Sequence, residues 1–223
     1  MQSGKIHSNS IIMKFLIIED HPLIRVGMTM MIFDFNSRAS IKEASTFPEG
    51  LALLDTQIFD YVILDIDVPG SEGTRMIKQI TDKQERISVL IHSGYDEHVY
   101  ALSYLSAGAS GFISKQSSKE DFKAALRALV TKKKYISAHV QQSLLNNMIN
   151  NNPQTNDHPF VKLSNRELEV MRLINEGKWT KEIASILDIK VSTVSTYRAR
   201  IYDKLDVKNE IELSRKISLF NYH

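Results

Sequence analysis

Through the first 130 residues, short apolar runs alternate with longer stretches whose apolar positions recur every three or four residues. Phe15–Ile18, Ser40–Ala44, Tyr61–Leu64, Ser88–His92 and Gly111–Ile113 have the length and side-chain types of strands. Leu23–Phe33, Pro48–Leu54, Gly73–Thr81, Glu97–Ala107 and Lys119–Val130 carry the helical spacing between and after them. Strands that alternate with helices imply a parallel sheet with right-handed crossovers, a doubly wound α/β domain. Ser117-x-x-Glu120 reads as a capping box that starts the fifth helix.

The pattern changes after residue 160, where no strand period remains. Ser164-x-x-Glu167 is a second capping box, followed by Leu168, Met171, Leu173 and Ile174 at helical spacing, and Gly177 ends that helix. Thr180 is the expected cap of a short helix through Leu187. Ser192 is the expected cap of a longer one through about Leu205, and a last helix runs from about Asn209. Short helices joined by tight turns describe an all-α helix-turn-helix bundle. The segment from Asn146 to Pro159 is Asn-rich, holds two prolines and has no face to bury. The division is therefore 13–131, a linker over 132–159 (partly helical, then Asn-rich), and 160–223.

Composition narrows the class. The chain has 223 residues, 43% hydrophobic and 24% charged, which excludes a disordered or fibrous chain. The net charge of +2 conceals an asymmetry: residues 1–159 hold 16 basic and 17 acidic side chains, residues 160–223 hold 12 and 9. With no cysteine there is no disulfide, thiolate zinc site or cysteine nucleophile. Residues 1–12 are polar and read as no signal peptide, Met13 opening the first patterned segment. No apolar run approaches the roughly 20 residues of a membrane helix. A cytoplasmic protein without membrane association is the expectation. The histidines suggest no metal site, because none pairs at helical spacing with a carboxylate nearby.

Chemistry concentrates at the strand ends. In a doubly wound sheet, ligands sit beyond the carboxyl ends of the strands where strand order reverses. Strand one ends in Glu19-Asp20, strand three in Asp65, strand four in Ser93, and strand five runs into Lys115. In the flavodoxin-like order 2-1-3-4-5, strands one and three are neighbours, so the three carboxylates converge and repel unless a cation joins them. An all-oxygen set suits Mg²⁺. Asp65 is then a candidate nucleophile toward phosphorus, with Ser93 and Lys115 to donate to the phosphoryl oxygens.

Residues 14–130 resemble the receiver domain of bacterial two-component response regulators. The resemblance rests on Ile17-Ile18-Glu19-Asp20-His21-Pro22-Leu23-Ile24-Arg25, Val62-Ile63-Leu64-Asp65-Ile66-Asp67-Val68-Pro69-Gly70, Ile91-His92-Ser93 and Gly108-Ala109-Ser110-Gly111-Phe112-Ile113-Ser114-Lys115. It implies that Asp65 is the phosphoacceptor and that Asp20 and the Asp67 backbone carbonyl bind Mg²⁺ with Asp65, supported by Glu19. It further implies that Ser93 is the hydroxyl switch, Phe112 the aromatic that changes rotamer and Lys115 the phosphate-binding lysine. Asp67 adds a carboxylate where the family tolerates many types, and Phe112 lacks the hydroxyl of the commoner tyrosine. Val62–Val68 also fits the opening motif of haloacid-dehalogenase-like phosphatases, with Asp67 as acid/base, although no later acidic pair completes that site.

In the second domain, Lys190–Lys204 carries Lys190, Arg198, Arg200 and Lys204 against Asp203 alone, with Ser192, Thr193, Ser195, Thr196 and Tyr197 near its start. Val194, Ile201 and Leu205 should face the bundle core. This is the second helix of a helix-turn-helix pair, the position that enters the major groove. Leu163–Val170, Lys181–Ala184, Val191–Arg198 and Lys204–Val207 are similar to the LuxR-type DNA-binding domain, so the whole chain resembles a NarL/FixJ-type response regulator. Ser195 stands where that family usually has lysine, and Tyr197 where it often has histidine. Trp179, in place of a usual small polar residue, is expected in the core. The resemblance implies a non-enzymatic transcription regulator, phosphorylated by a sensor histidine kinase, that binds double-stranded DNA as a homodimer when phosphorylated or on DNA. A constitutive regulator whose receiver serves only for dimerisation is the alternative.

Overall fold

The computed structural model describes residues 12–149 and 159–219; the polar N-terminal residues 1–11 and the Asn-rich stretch 150–158 lie outside them. Five strands form one parallel sheet: β1 (Lys14–Ile18), β2 (Ser40–Ala44), β3 (Tyr61–Leu64), β4 (Ser88–Ser93) and β5 (Gly111–Ser114), in the order β2-β1-β3-β4-β5. Both faces are covered, which is why the strands read as continuous apolar runs. Side chains alternate between faces. Phe15, Ile17, Ile63, Leu90 and Ile113 pack with residues of α1 (Pro22–Phe35) and α5 (Lys119–Val130). Leu16, Ile18, Val62, Leu64, Val89 and Ile91 pack toward α2 (Phe47–Thr56), α3 (Arg75–Lys83) and α4 (Glu97–Ser106).

Beyond α5 the chain does not leave at once. Tyr135 bridges Gly111 in parallel fashion, and its carbonyl accepts from Phe112 N–H at 3.0 Å. Helix α6 (Ala138–Ile149) follows, taking up the first asparagines of the expected linker. A one-turn 3₁₀ helix (Pro159–Lys162) then leads into α7 (Asn165–Asn175), α8 (Thr180–Ile186), α9 (Val191–Leu205) and α10 (Glu210–Leu219). Val194, Ile201 and Leu205 of α9 are buried as the apolar period required.

The helix starts differ from the sequence reading at three points. The α5 cap is Ser118, whose hydroxyl accepts from Asp121 N–H at 3.1 Å, so the Ser117–Glu120 pairing is displaced by one residue. Trp179, not Thr180, holds the cap position of α8, and its backbone N–H is met by Glu182 Oε2 at 2.6 Å. At α9 the cap position is Lys190, without a side-chain bond, and Ser192 lies inside the first turn. The Ser164–Glu167 box forms as expected: Ser164 N–H donates to Glu167 Oε2 at 2.7 Å while Ser164 Oγ accepts from Glu167 N–H at 3.4 Å.

Candidate functional site

Parallel pairing sets Ile18 beside Leu64, so the residues that follow them, Glu19-Asp20 and Asp65, leave the sheet side by side. Asp65 N–H donates to the Ile18 carbonyl at 2.8 Å, which fixes that juxtaposition. Glu19 and Asp65 are buried, and Asp20 is half-buried. Lys115, held where its N–H donates to the Ser93 carbonyl at 2.7 Å, extends its ammonium to Asp65 Oδ2 at 2.8 Å and Glu19 Oε1 at 2.9 Å. Burial pushes the Asp65 carboxyl up to about 6 against the pull of Lys115. Burial would lower the Lys115 ammonium, but its bonds to Asp65 and Glu19 outweigh this and raise it.

Ligand atoms of Glu19, Asp20, His21 and Asp65 all lie within 4.8 Å of one another. Asp20 Oδ1 is buried without a hydrogen bond of good geometry, although His21 Nδ1 stands 2.7 Å away. A hard cation with oxygen ligands fits this donor set. His21, which the histidine pattern did not single out, joins this group: its imidazole follows the acidic pair directly and bonds Glu19 Oε1 at 2.9 Å. The bond to Glu19, then the Asp20 charge, raises the His21 pKa.

The expected switch residues lie beside this pocket. Ser93 is fully buried and its Oγ accepts from Tyr95 N–H at 3.1 Å. Phe112 is also fully buried, with its ring 6.2 Å from that of Tyr104 on α4. Asp67 N–H donates to Asp65 Oδ1 at 3.2 Å, which turns the Asp67 carboxylate outward. There it meets Arg172 of α7 at 2.6 Å. Arg172 also interacts with the Tyr95 hydroxyl, so one guanidinium touches the loops that follow both Asp65 and Ser93. Glu169, one helical turn before it, accepts from Thr74 N–H at 3.2 Å. Gly73 permits that approach: its φ is +61, and a Cβ there would lie 1.9 Å from Glu169 Oε1.

Residues 15–127 match the family described as response regulator receiver domain, and residues 161–217 match bacterial regulatory proteins, luxR family. Oxygen regulatory protein NreC of Staphylococcus carnosus is 32% identical over 206 residues, covering 90% of this chain and 94% of that protein. The chain belongs to the NarL/FixJ family of response regulators. It is a DNA-binding response regulator of two-component systems. Response regulator GacA of Pseudomonas aeruginosa is 29% identical over 201 residues (90% and 93% covered). Response regulator UvrY of Escherichia coli K12 is 27% identical over 199 residues (89% and 90%). The fold is shared with RcsB from Salmonella enterica serovar Typhimurium bound to promoter rprA, at TM-score 0.76 and 23% identity over 93% of this chain and 99% of that one.

In this response regulator the DNA-type helix is only partly laid open. Ser192, Ser195, Thr196 and Arg200 are exposed, as is Lys190 before them. Thr193 and Tyr197 are half-buried, and Tyr197 packs against the core cluster. Arg198 stands 3.6 Å from Glu210, and Lys204 donates to the buried Glu167 Oε2 at 2.7 Å, so two of the basic residues of this helix already have acidic partners. Trp179 is not in the core: it is 79% exposed, because Ile183 and Ala184 supply the inward face of α8. The receiver rests on the 3₁₀ turn and α7 and leaves these residues of α9 accessible. Sequence reading missed His21, Tyr95 and Arg172; for the last two no local pattern exists, since their partner lies across the domain boundary.

Proposed function

We propose that the regulator is switched by Mg²⁺-dependent phosphorylation of Asp65 by a partner sensor histidine kinase, with 13–131 as receiver, 132–159 as linker and 160–223 as DNA-binding domain. The observation that carries this reading is the buried cluster in which one lysine bridges Asp65 and Glu19 beside Asp20. An Asp65 carboxylate oxygen attacks the phosphorus, the bond from phosphorus to the kinase histidine breaks, and an aspartyl phosphate forms. The Lys115 ammonium supplies a positive charge to the arriving phosphoryl oxygens, and the Ser93 hydroxyl turns from Tyr95 N–H to donate to one of them. Glu19, Asp20, Asp65 and the Asp67 carbonyl would hold Mg²⁺, which supplies charge neutralisation between carboxylates and phosphoryl group. Phe112 then re-packs against α4.

This reading treats the protein as a switch rather than an enzyme. Asp67, the acid/base of a phosphatase reading, is engaged by Arg172, which disfavours that alternative. Lys190, Ser192, Thr193, Ser195, Thr196, Tyr197, Arg198, Arg200 and Lys204 belong to the DNA-facing set, with Lys190, Ser192, Ser195, Thr196 and Arg200 first in reach of double-stranded DNA and Arg198 and Lys204 held by Glu210 and Glu167. RcsB is known bound to promoter DNA, and this chain shares its fold. A DNA-binding regulator of this kind works in the cytoplasm. A homodimer on DNA follows from two-fold matching of half-sites.

The deciding experiment exposes the protein to acetyl phosphate and Mg²⁺ and weighs it intact. The wild type should gain the mass of one phosphoryl group, and Asp65→Asn should gain none. Gain by Asp65→Asn at the wild-type rate overturns the assignment. Sedimentation before and after labelling, with and without duplex, measures the dimer.

A further inference from the structure

Trp179 is the only tryptophan in the chain, and at 79% exposure it presents its indole to solvent. Single exposed apolar residues are common. This one differs in how it is held. Its N–H is fixed by Glu182 Oε2 at 2.6 Å and its carbonyl accepts from Ile183 N–H at 3.0 Å, so the backbone beneath the ring is set. The next residues of α8 turn inward at Ile183 and Ala184, which leaves the indole no core to join. Lys178 and Lys181, both exposed, flank it.

We propose that Trp179 is a DNA-backbone contact of this regulator, packing its indole on a deoxyribose and donating Nε1–H to a phosphate oxygen. The inference rests on the DNA-binding reading and adds a residue outside α9. In a helix-turn-helix, the second helix lies in the major groove while the first crosses the backbone. Helix α8 has seven residues, which at about 1.5 Å each spans about 10 Å. Its start thus stands about 10 Å from the turn that delivers α9, comparable with the roughly 12 Å width of the major groove. With α9 in the groove, Trp179 meets the flanking strand. The indole offers an apolar face for the sugar and one donor for the phosphate. The neighbouring lysines match the phosphate charge, and the fixed backbone keeps the ordering entropy low. Such a contact is independent of sequence, so it is testable without a known operator.

The chain's own fluorescence supplies the test. The full-length protein is titrated with a mixed-sequence duplex at low salt while tryptophan emission and its quenching by acrylamide are followed. A labelled duplex reports binding separately by anisotropy. Emission should change saturably with the same midpoint as the anisotropy, and acrylamide access should fall in the complex. Trp179→Ala should weaken binding about tenfold, the equivalent of one hydrogen bond to a charged group, and flatten no specificity between duplexes. Trp179→Phe, which keeps a ring and loses the donor, should fall between. Circular dichroism should be unchanged in both, since the side chain supports no core. Duplex binding that leaves acrylamide access and the Trp179→Ala midpoint unchanged overturns the proposal and leaves DNA binding standing. Absence of any duplex binding overturns both. Shielding that follows protein concentration without duplex assigns the indole to a second copy instead and likewise overturns it.

Discussion

The acidic pocket at the strand ends and helix α9 use the same residue types to opposite ends. In the pocket, Glu19 and Asp65 are withdrawn from water and joined by the half-buried Lys115 within 2.9 Å. Along α9, Ser195, Thr196 and Arg200 stand in solvent. A site that stabilises transferred charge benefits from fixed groups in a low dielectric. A surface that reads a polyanion needs cations whose counterions can be displaced. Two lysines make the contrast plain. Lys115 belongs to the first kind, and Lys204, tied to buried Glu167, resembles it more than it resembles Arg200.

Removing Lys115 tests the first half most severely. Lys115→Ala leaves Glu19 and Asp65 buried beside each other without their cation, and breaking such a pair typically costs about 3–5 kcal/mol. Urea unfolding in a chelating buffer should show that loss, and Mg²⁺ should restore more stability to the variant than to the wild type. An unchanged midpoint would mean the pocket tolerates its own repulsion.

Near the same pocket, His92 gives a smaller effect through pH. It is buried on β4, its Nδ1 has no hydrogen-bond partner among the described residues, and burial pushes its pKa down to about 4. The folded value lies below the unfolded 6.5, so as pH falls the unfolded chain takes up the proton first. The stabilisation is whole above about pH 6.5 and disappears toward pH 4, up to roughly 3 kcal/mol at 1.36 kcal/mol per pH unit. His92→Asn should flatten that part of the stability profile relative to wild type. A parallel profile would show that other groups govern acid unfolding.

How legible each region was in the sequence follows from where its partners lie. Glu19, Asp20, Asp65, Ser93 and Lys115 each end or follow a strand, and a parallel sheet in a fixed order carries strand ends to one place. Apolar runs therefore sufficed to bring them together. The inward face of α9 was equally legible through Val194, Ile201 and Leu205. The partners of Lys204 and Arg198 were not, because Glu167 and Glu210 sit on other helices and helical periodicity says nothing of them. Trp179 was misplaced because size alone argues for the core, whereas α8 is short and already filled inward by Ile183 and Ala184. Asp67 looked like an addition to the reactive site, yet its carboxylate serves the contact with α7.

That contact lets the two regions be separated. Arg172→Ala removes the ion pair to Asp67 and the interaction with Tyr95, leaving Glu169 on Thr74 N–H as the neighbouring tie. Asp67 is about half exposed, so the loss should be modest, about 1 kcal/mol. Small-angle scattering should show a larger radius of gyration, while acetyl phosphate labelling of Asp65 should persist. An unchanged radius would mean that Glu169 on Thr74 N–H and the packing of the 3₁₀ turn against α4 hold the domains together without Arg172.

A further comparison divides Lys204 from Arg200. Lys204 is the countercharge of Glu167, which is buried and also accepts from Ser164 N–H. The bonds of Glu167 to Lys204 and Ser164 hold its pKa below the ordinary carboxylate range in spite of burial. Lys204→Ala should therefore lower stability by about 1 kcal/mol, discounted for the partial exposure of the lysine, and change DNA binding little. Arg200 is exposed on α9, so Arg200→Ala should leave urea unfolding unchanged. It should weaken binding similarly on all duplexes and reduce the slope of log affinity against log salt by about one unit. Thr196→Ala, at an exposed position nearer the helix start, should instead narrow the difference between specific and random duplexes, by roughly 1–3 kcal/mol for a lost base contact. Gel-shift titrations of the three variants at several salt concentrations, read beside their unfolding curves, separate these outcomes. If Lys204→Ala flattens the salt slope and leaves stability intact, the ammonium leaves Glu167 for phosphate in the complex, and the division between a paired and an available cation on this helix fails.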